Sequence, residues 1–224
     1  MSRTVVHLLR HGKVHNPSGL LYGRLPGYSL AASGRAMAEG IAEHLRPVDI
    51  TYLAASSLTR AQETAAPVAA SKGLSIMTDD RVIEAGNQFE GMKVAVGDGV
   101  LREPRHWGKL RNPFRPSWGE PYLDIAHRML GAIYAAVEAA EGHQALIVSH
   151  QLPIVTVRRY LEGLRLWHNP SRRECSVASL TALTFRDGVF AGLEYSEPVR
   201  HIEAVDDLGS PQPPVLPPAG TDAA

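Results

Sequence analysis

Thr4-Val5-Val6-His7-Leu8-Leu9-Arg10-His11-Gly12 is an almost unbroken apolar run that ends in an arginine, a histidine and a glycine. A short apolar run with β-branched residues, closed by a breaker, reads as a strand buried in a parallel sheet. Ligands of open α/β sheets gather at the carboxyl ends of such strands. Arg10 and His11 are therefore expected at a ligand site, with Gly12 letting the chain turn sharply beside them. Arginine next to histidine favours an anion, phosphate first. On these three residues alone, the start of a solvated loop is an equal reading.

Beyond Gly12 the chain alternates helix and strand signals. A long Gly/Pro-rich loop covers Lys13 to Tyr28. Helical spacing follows from Gly34 to Arg46, with Ser29 or Ser33 as cap candidates and Pro47 as the stop. Asp49 to Ala54 reads as a second strand. Ser56 and Ser57 are candidate caps for a helix from Leu58 to Lys72, which Pro67 is expected to kink. Arg60 falls in the first turn of that helix, where free N–H groups already favour an anion; a plain surface arginine is the other reading. Leu74 to Met77 reads as a third strand, and Asp79 to Phe89 as a loop carrying Glu84.

Residues 91–120 break the pattern with glycines, prolines, basic residues and Trp107, Phe114 and Trp118. This stretch reads as an inserted cap. Basic-aromatic interleaving also occurs in single-strand nucleic-acid sites, but the balanced charge of the whole chain favours the cap. Leu123 to Ala140 carries apolar residues at steps of four, as in a helix. Ala145-Leu146-Ile147-Val148 is the most strand-like tetrad, and it ends in Ser149-His150-Gln151 before a helix over Pro153 to Leu164. His150 thus repeats the placement of His11, although a satisfied structural histidine fits equally. Cys175 to Phe185, an Asp187-Gly188 turn and Val189 to Tyr195 predict an antiparallel edge. The proline-rich stretch 206–224 is expected to be a disordered tail after a domain spanning 1–205.

The 224 residues hold 44% hydrophobic and 21% charged side chains, with 23 Lys+Arg against 23 Asp+Glu. That is the profile of an ordinary folded domain, with no global charge to attract nucleic acid or an acidic membrane. One cysteine, Cys175, excludes an internal disulfide, and no run is long enough to span a membrane. A cytoplasmic location is the expectation. No Walker loop, zinc spacing or GxGxxG motif is present.

Several separated blocks together resemble the histidine phosphatase, or phosphoglycerate mutase-like, superfamily. Arg10-His11-Gly12 resembles its opening motif. Ser56-Ser57-Leu58-Thr59-Arg60-Ala61-Gln62-Glu63-Thr64-Ala65 is similar to its Ser-x-Leu-x-Arg-Ala-x-x-Thr-Ala block. Glu84 with Phe89-Glu90-Gly91, and Val148-Ser149-His150, match two more blocks in the same order. The resemblance implies a three-layer α/β/α sandwich with a mostly parallel central sheet, an antiparallel edge and an inserted cap. It implies His11 as nucleophile, Arg10, Arg60 and His150 as phosphoryl ligands, and Glu84 as proton donor. It implies no cofactor and no metal. The expected partner is a small-molecule phosphate ester, rather than nucleic acid or membrane; the sequence does not reveal an oligomeric state.

There are departures from the family pattern. Pro17 stands at a usual asparagine position, with Asn16 one residue earlier. Lys13 replaces the usual Glu or Gln, Gln151 stands where Gly is common, and Glu120 lies in Gly119-Glu120-Pro121 rather than Gly-Glu-Ser. Asn16, Arg24 and Gln151 are expected substrate contacts. Mutases usually carry Glu-Arg-His-Tyr-Gly at the acid; here the stretch is Glu84-Ala85-Gly86-Asn87-Gln88. A phosphomonoesterase working through a phosphohistidine is therefore the expectation. A mutase or an inactive phospholigand-binding module are the alternatives.

Overall fold

The computed structural model describes residues 2–95, 98–99 and 119–204. The opening run forms β1 (Arg3–Arg10), inside a six-stranded sheet. The other members are β2 (Ile50–Ala55), β3 (Met77–Thr78), β6 (Gln144–Ser149), β7 (Leu180–Arg186) and β8 (Val189–Ser196), in the order β3-β2-β6-β1-β7-β8. The first four in that order are parallel, and β7 and β8 add an antiparallel edge beside β1. Two further strands, β4 (Val94–Ala95) and β5 (Asp98–Gly99), form a separate antiparallel pair at the start of the expected cap. The rest of the cap from 100 to 118, and the expected tail, lie outside the described residues.

Helices cover both faces of the sheet. On β1, Val6 and Leu8 join one apolar cluster and Leu9 the other; on β6, Ala145 and Ile147 oppose Leu146 and Val148. This two-sided burial is why both strands read as continuous apolar runs. α1 (Ala32–His44) and α2 (Thr59–Lys72) contribute Met37, Ile41, Ala61 and Val68 to one cluster. α3 (Tyr122–Ala139) and α4 (Gln151–Leu161) contribute Ile125, Met129, Ile133 and Ile154 to the other. The result is the expected α/β/α layering with a mostly parallel sheet.

Local differences have local causes. α2 is preceded by Leu58 and takes no side-chain cap, so Ser56 and Ser57 do not cap it. Ala31, not Ser29 or Ser33, precedes α1, again without a side-chain cap. α2 runs through Pro67, whose missing N–H leaves one carbonyl without its helical partner. The third strand falls at Met77–Thr78, later than expected, and α4 begins directly at Gln151. Gly12 does not have a left-handed backbone. A Cβ there would lie 2.6 Å from the Gly34 carbonyl oxygen, so glycine serves close packing against α1. The Asp187-Gly188 turn is as expected, with φ of 48° and 77°.

Candidate active site

Strand register brings the two histidines together. Arg10 is paired with Ser149 in parallel register, and the His11 N–H donates to the Ser149 carbonyl at 3.1 Å. His11 and His150 are thus the first residues beyond two adjacent strands, at their carboxyl ends. Their ring centroids are 5.1 Å apart, and both side chains are buried.

Each ring has a defined partner. His11 Nδ1 lies 2.8 Å from the Gly12 carbonyl oxygen. A carbonyl only accepts, so Nδ1 carries the hydrogen and Nε2 presents its lone pair. His150 Nε2 is hydrogen-bonded to Ser56 Oγ at 2.7 Å, and its buried Nδ1 has no partner among the described residues. Burial first, then the charges around them, holds both histidines well below the ordinary value of 6.5. His11 feels Arg10 and Arg60; His150 feels His11 and the same arginines. Both rings are therefore neutral near pH 7.

The arginines are anchored by carbonyls rather than by carboxylates. Arg10 Nη1 donates to the Cys175 carbonyl at 2.6 Å. Arg60 Nη2 donates to the Gly23 carbonyl at 2.7 Å, and its guanidinium carbon lies 4.8 Å from the Tyr22 ring centroid. Arg60 is only 1% exposed, which for an arginine demands an explanation. Among the described residues no carboxylate lies within ion-pairing distance of Arg10 or Arg60, and both Nε atoms are buried without partners. Such a pair of cations, Arg60 buried and Arg10 half-buried, with no paired carboxylate, favours an anionic ligand.

A cavity of about 220 Å³ opens over this group, lined among others by Arg10, His11, Tyr22, Glu84, Gln151 and Arg173. Arg60 sits one layer behind it, against Tyr22 and Gly23, and reaches His11 and Glu84 through its charge. Glu84 Oε1 accepts from the Ala85 N–H at 2.8 Å. Burial raises its carboxyl above the usual 4.5, outweighing that hydrogen bond and the nearby arginines. Among the described residues no group of three or more His, Cys, Asp or Glu is placed to hold a metal ion.

Gln151 lies on the cavity wall, its amide 3.4 Å from the Cys175 carbonyl. The other two expected substrate contacts are placed elsewhere. Asn16 uses its amide on Leu20, donating to the carbonyl at 2.9 Å and accepting from the N–H at 3.2 Å. It closes its own loop, as asparagine side chains commonly do. Arg24 donates through Nε to the Glu84 carbonyl at 2.6 Å and through Nη2 to Glu120 at 2.9 Å. Arg128 grips the other side of Glu120 at 2.7 Å and the Arg81 carbonyl at 2.6 Å. Arg24 therefore braces the backbone that carries Glu84 and faces a neighbouring depression with Glu120.

Sequence reasoning missed Ser56, Tyr22 and Arg173. Ser56 looked like a helix cap, and Tyr22 was hidden in the long loop. Arg173 lies in an aperiodic stretch before β7. One signal pointed to it: an antiparallel strand placed beside parallel ones starts at their carboxyl ends, so the loop entering β7 adjoins the site.

Residues 6–197 match the family model of the histidine phosphatase superfamily, branch 1. The chain belongs to that superfamily. It is 53% identical over 195 residues to the uncharacterised protein Rv0525 of Mycobacterium tuberculosis, covering 87% of this chain and 96% of that one. It is 26% identical over 181 residues to a probable phosphoglycerate mutase, GpmB, of Escherichia fergusonii, covering 77% and 82% of the two chains. The solved structure of Bacillus stearothermophilus YhfR superposes with a TM-score of 0.71 at 26% identity, covering 84% of this chain and 94% of that one. The phosphatase superfamily assignment thus rests on the whole folded domain rather than on the short motifs alone. No helix among the described residues is long and apolar enough to cross a membrane.

Proposed function

We propose that this member of the histidine phosphatase superfamily is a metal-independent phosphomonoesterase acting on a small phosphorylated metabolite. One observation carries the reading: the Gly12 carbonyl holds His11 Nδ1–H and leaves Nε2 free at a cavity shared with Arg10 and Glu84.

In this reading Nε2 attacks phosphorus and the P–O ester bond breaks. Glu84, whose carboxyl burial raises above its ordinary value, gives its proton to the leaving oxygen. Glu84 then takes a proton from water as the water oxygen attacks phosphorus. The N–P bond breaks, releasing inorganic phosphate and neutral His11. Arg10 and Arg60 supply the positive charge that the transferring group needs. Nδ1 of His150, without a partner among the described residues, is a further donor for a phosphoryl oxygen when Ser56 donates to Nε2. The likeness to a probable phosphoglycerate mutase supports the shared phosphoryl-transfer step, while Glu84-Ala85-Gly86-Asn87-Gln88 lacks the mutase basic residues. The single buried, unpaired Cys175 suits a reducing compartment and hence a cytoplasmic enzyme.

The test is hydrolysis of p-nitrophenyl phosphate in the presence of a chelator by wild type and His11→Ala, with trapping of the phosphoenzyme. Turnover that survives chelation and disappears with His11 is expected, with an acid-labile, base-stable phosphoryl group on the wild type alone. Conversion of 3-phosphoglycerate to 2-phosphoglycerate faster than phosphate release would establish a mutase instead. Binding of phosphate esters without turnover would establish a binding module.

A further inference from the structure

The phosphoryl chemistry leaves one cavity cation without a task. Arg173 lies just beyond a short 3-10 turn (Pro170–Arg172) in the connection from α4 to β7. The same connection supplies the Cys175 carbonyl that holds Arg10, so one loop sets two cavity arginines. Arg173 Nε donates to His168 Nε2 at 2.9 Å. His168 Nδ1 lies 2.7 Å from the Leu166 carbonyl oxygen, so it must donate there, and Nε2 must be an acceptor. Two hydrogen bonds in series thus fix the plane of the guanidinium. Its Nη1 and Nη2 have no acceptor and no carboxylate within ion-pairing distance among the described residues.

Charge arithmetic then points to the ligand. A phosphoryl group on His11 is already served by Arg10 and Arg60, and Glu84 is the proton donor. Arg173 is close enough to Glu84 and Arg10 for their charges to act on it. Proximity to Glu84 puts it where the alcohol part of the ester lies. The remaining wall there includes Leu20, Leu21 and Leu152, which offer nothing to neutralise it. A half-buried guanidinium with two forward donors matches a carboxylate or phosphate in bidentate fashion.

We infer that Arg173 recognises a second anionic group, carboxylate or phosphate, on the alcohol side of the substrate, and that His168 is its positioning residue. This deepens the phosphatase reading and rests on it where turnover is concerned. Burial keeps His168 below its ordinary value, which preserves the neutral ring that Arg173 requires.

Titration calorimetry with propylphosphonate, 3-phosphonopropionate and propane-1,3-diphosphonate tests recognition without turnover. Wild type is expected to bind one or both two-anion probes about 10–100-fold more tightly than propylphosphonate, the worth of one charged hydrogen-bonded pair. The probe with the larger gain identifies the second anion. Arg173→Met and Arg173→Gln are expected to abolish that preference. His168→Gln, which keeps an acceptor, should retain most of it, and His168→Leu should lose it. Propylphosphonate affinity and circular dichroism show whether each variant is folded, so either arginine variant or the histidine pair suffices. No preference in wild type, or its survival in folded Arg173 variants, overturns the inference. Turnover of propyl phosphate and its 3-carboxylate analogue separates the two readings. Preference in binding with no turnover of any ester sinks the phosphatase alone; turnover without preference sinks the recognition role alone.

Discussion

At Glu84 and His11, the same burial shifts a carboxyl and an imidazole in opposite directions, each toward its neutral form. Burial lowers His11 and keeps it a neutral nucleophile; burial raises Glu84 and keeps it a proton donor. His11 loses its lone pair only as pH falls below the ordinary histidine value of 6.5. Glu84 loses its proton only as pH rises above the ordinary 4.5. The profile of kcat/KM on an alkyl phosphate is therefore expected to be bell-shaped, with substantial activity on the acid side of neutrality. Glu84→Gln should lower kcat on an alkyl phosphate by about 10²–10⁴-fold, because an alkoxide leaving group needs the proton. On p-nitrophenyl phosphate, whose leaving group is stable as an anion, the loss should be much smaller. Equal losses on the two esters would remove the proton-donor role.

At the scale of elements, the contact between the β1 exit and α1 decides how His11 is held. The Lys13 carbonyl accepts from the Ala31 N–H at 2.9 Å, and Gly34 packs against the same segment. A Cβ at Gly34 would fall 2.0 Å from the Lys13 carbonyl oxygen, with backbone on both sides and no flexible side chain to give way. Helix propensity alone makes Gly34→Ala stabilising by about 1 kcal/mol. The overlap works against it and is the larger effect, since overpacking costs about 1–3 kcal/mol or more. Gly34→Ala is expected to lower Tm by several degrees and to reduce kcat as the His11 segment shifts; roughly 2–4 °C per kcal/mol applies at this size. Thermal melts and p-nitrophenyl phosphate assays check both effects, and an unchanged or raised Tm contradicts this packing account. Thr64 supports the same junction from α2, accepting from the Gly12 N–H at 3.0 Å and donating to the Arg60 carbonyl at 2.6 Å. That explains why threonine stands four residues after Arg60 in the second motif.

Across the whole molecule, His7, His11, His150 and His168 all lie below the ordinary 6.5, in each case mainly through burial. Between the lowered and ordinary values the unfolded chain binds protons that the folded chain refuses. Stability then rises with pH across that window, so it is lost as pH falls below about 6.5. Glu84, raised, has the opposite sign and favours the folded state below its raised value. One carboxyl against several histidines leaves the histidine trend in control. Tm measured by calorimetry from pH 7.5 down to 5 is expected to fall; a flat or rising Tm would contradict neutral, buried histidines.

Much of the site was legible because its residues follow local patterns. Arg10-His11 and Ser149-His150 each close an apolar strand, and Arg60 opens a helix, so composition and period locate them. The sequence by itself therefore determined the α/β class, the strand-end placement of both histidines, and the residue types available for phosphoryl chemistry. Tertiary structure decided which groups meet. Register between β1 and β6 sets His11 beside His150, and pairing register is a property of two distant strands rather than of either alone. Only folding turned Ser56 from a cap candidate into a histidine partner, and Arg24 from a candidate substrate ligand into a brace for Glu84. Arg173 has no periodic signal. It became a cavity residue because an antiparallel edge strand begins where the parallel strands end, which brings its entry loop over the nucleophile.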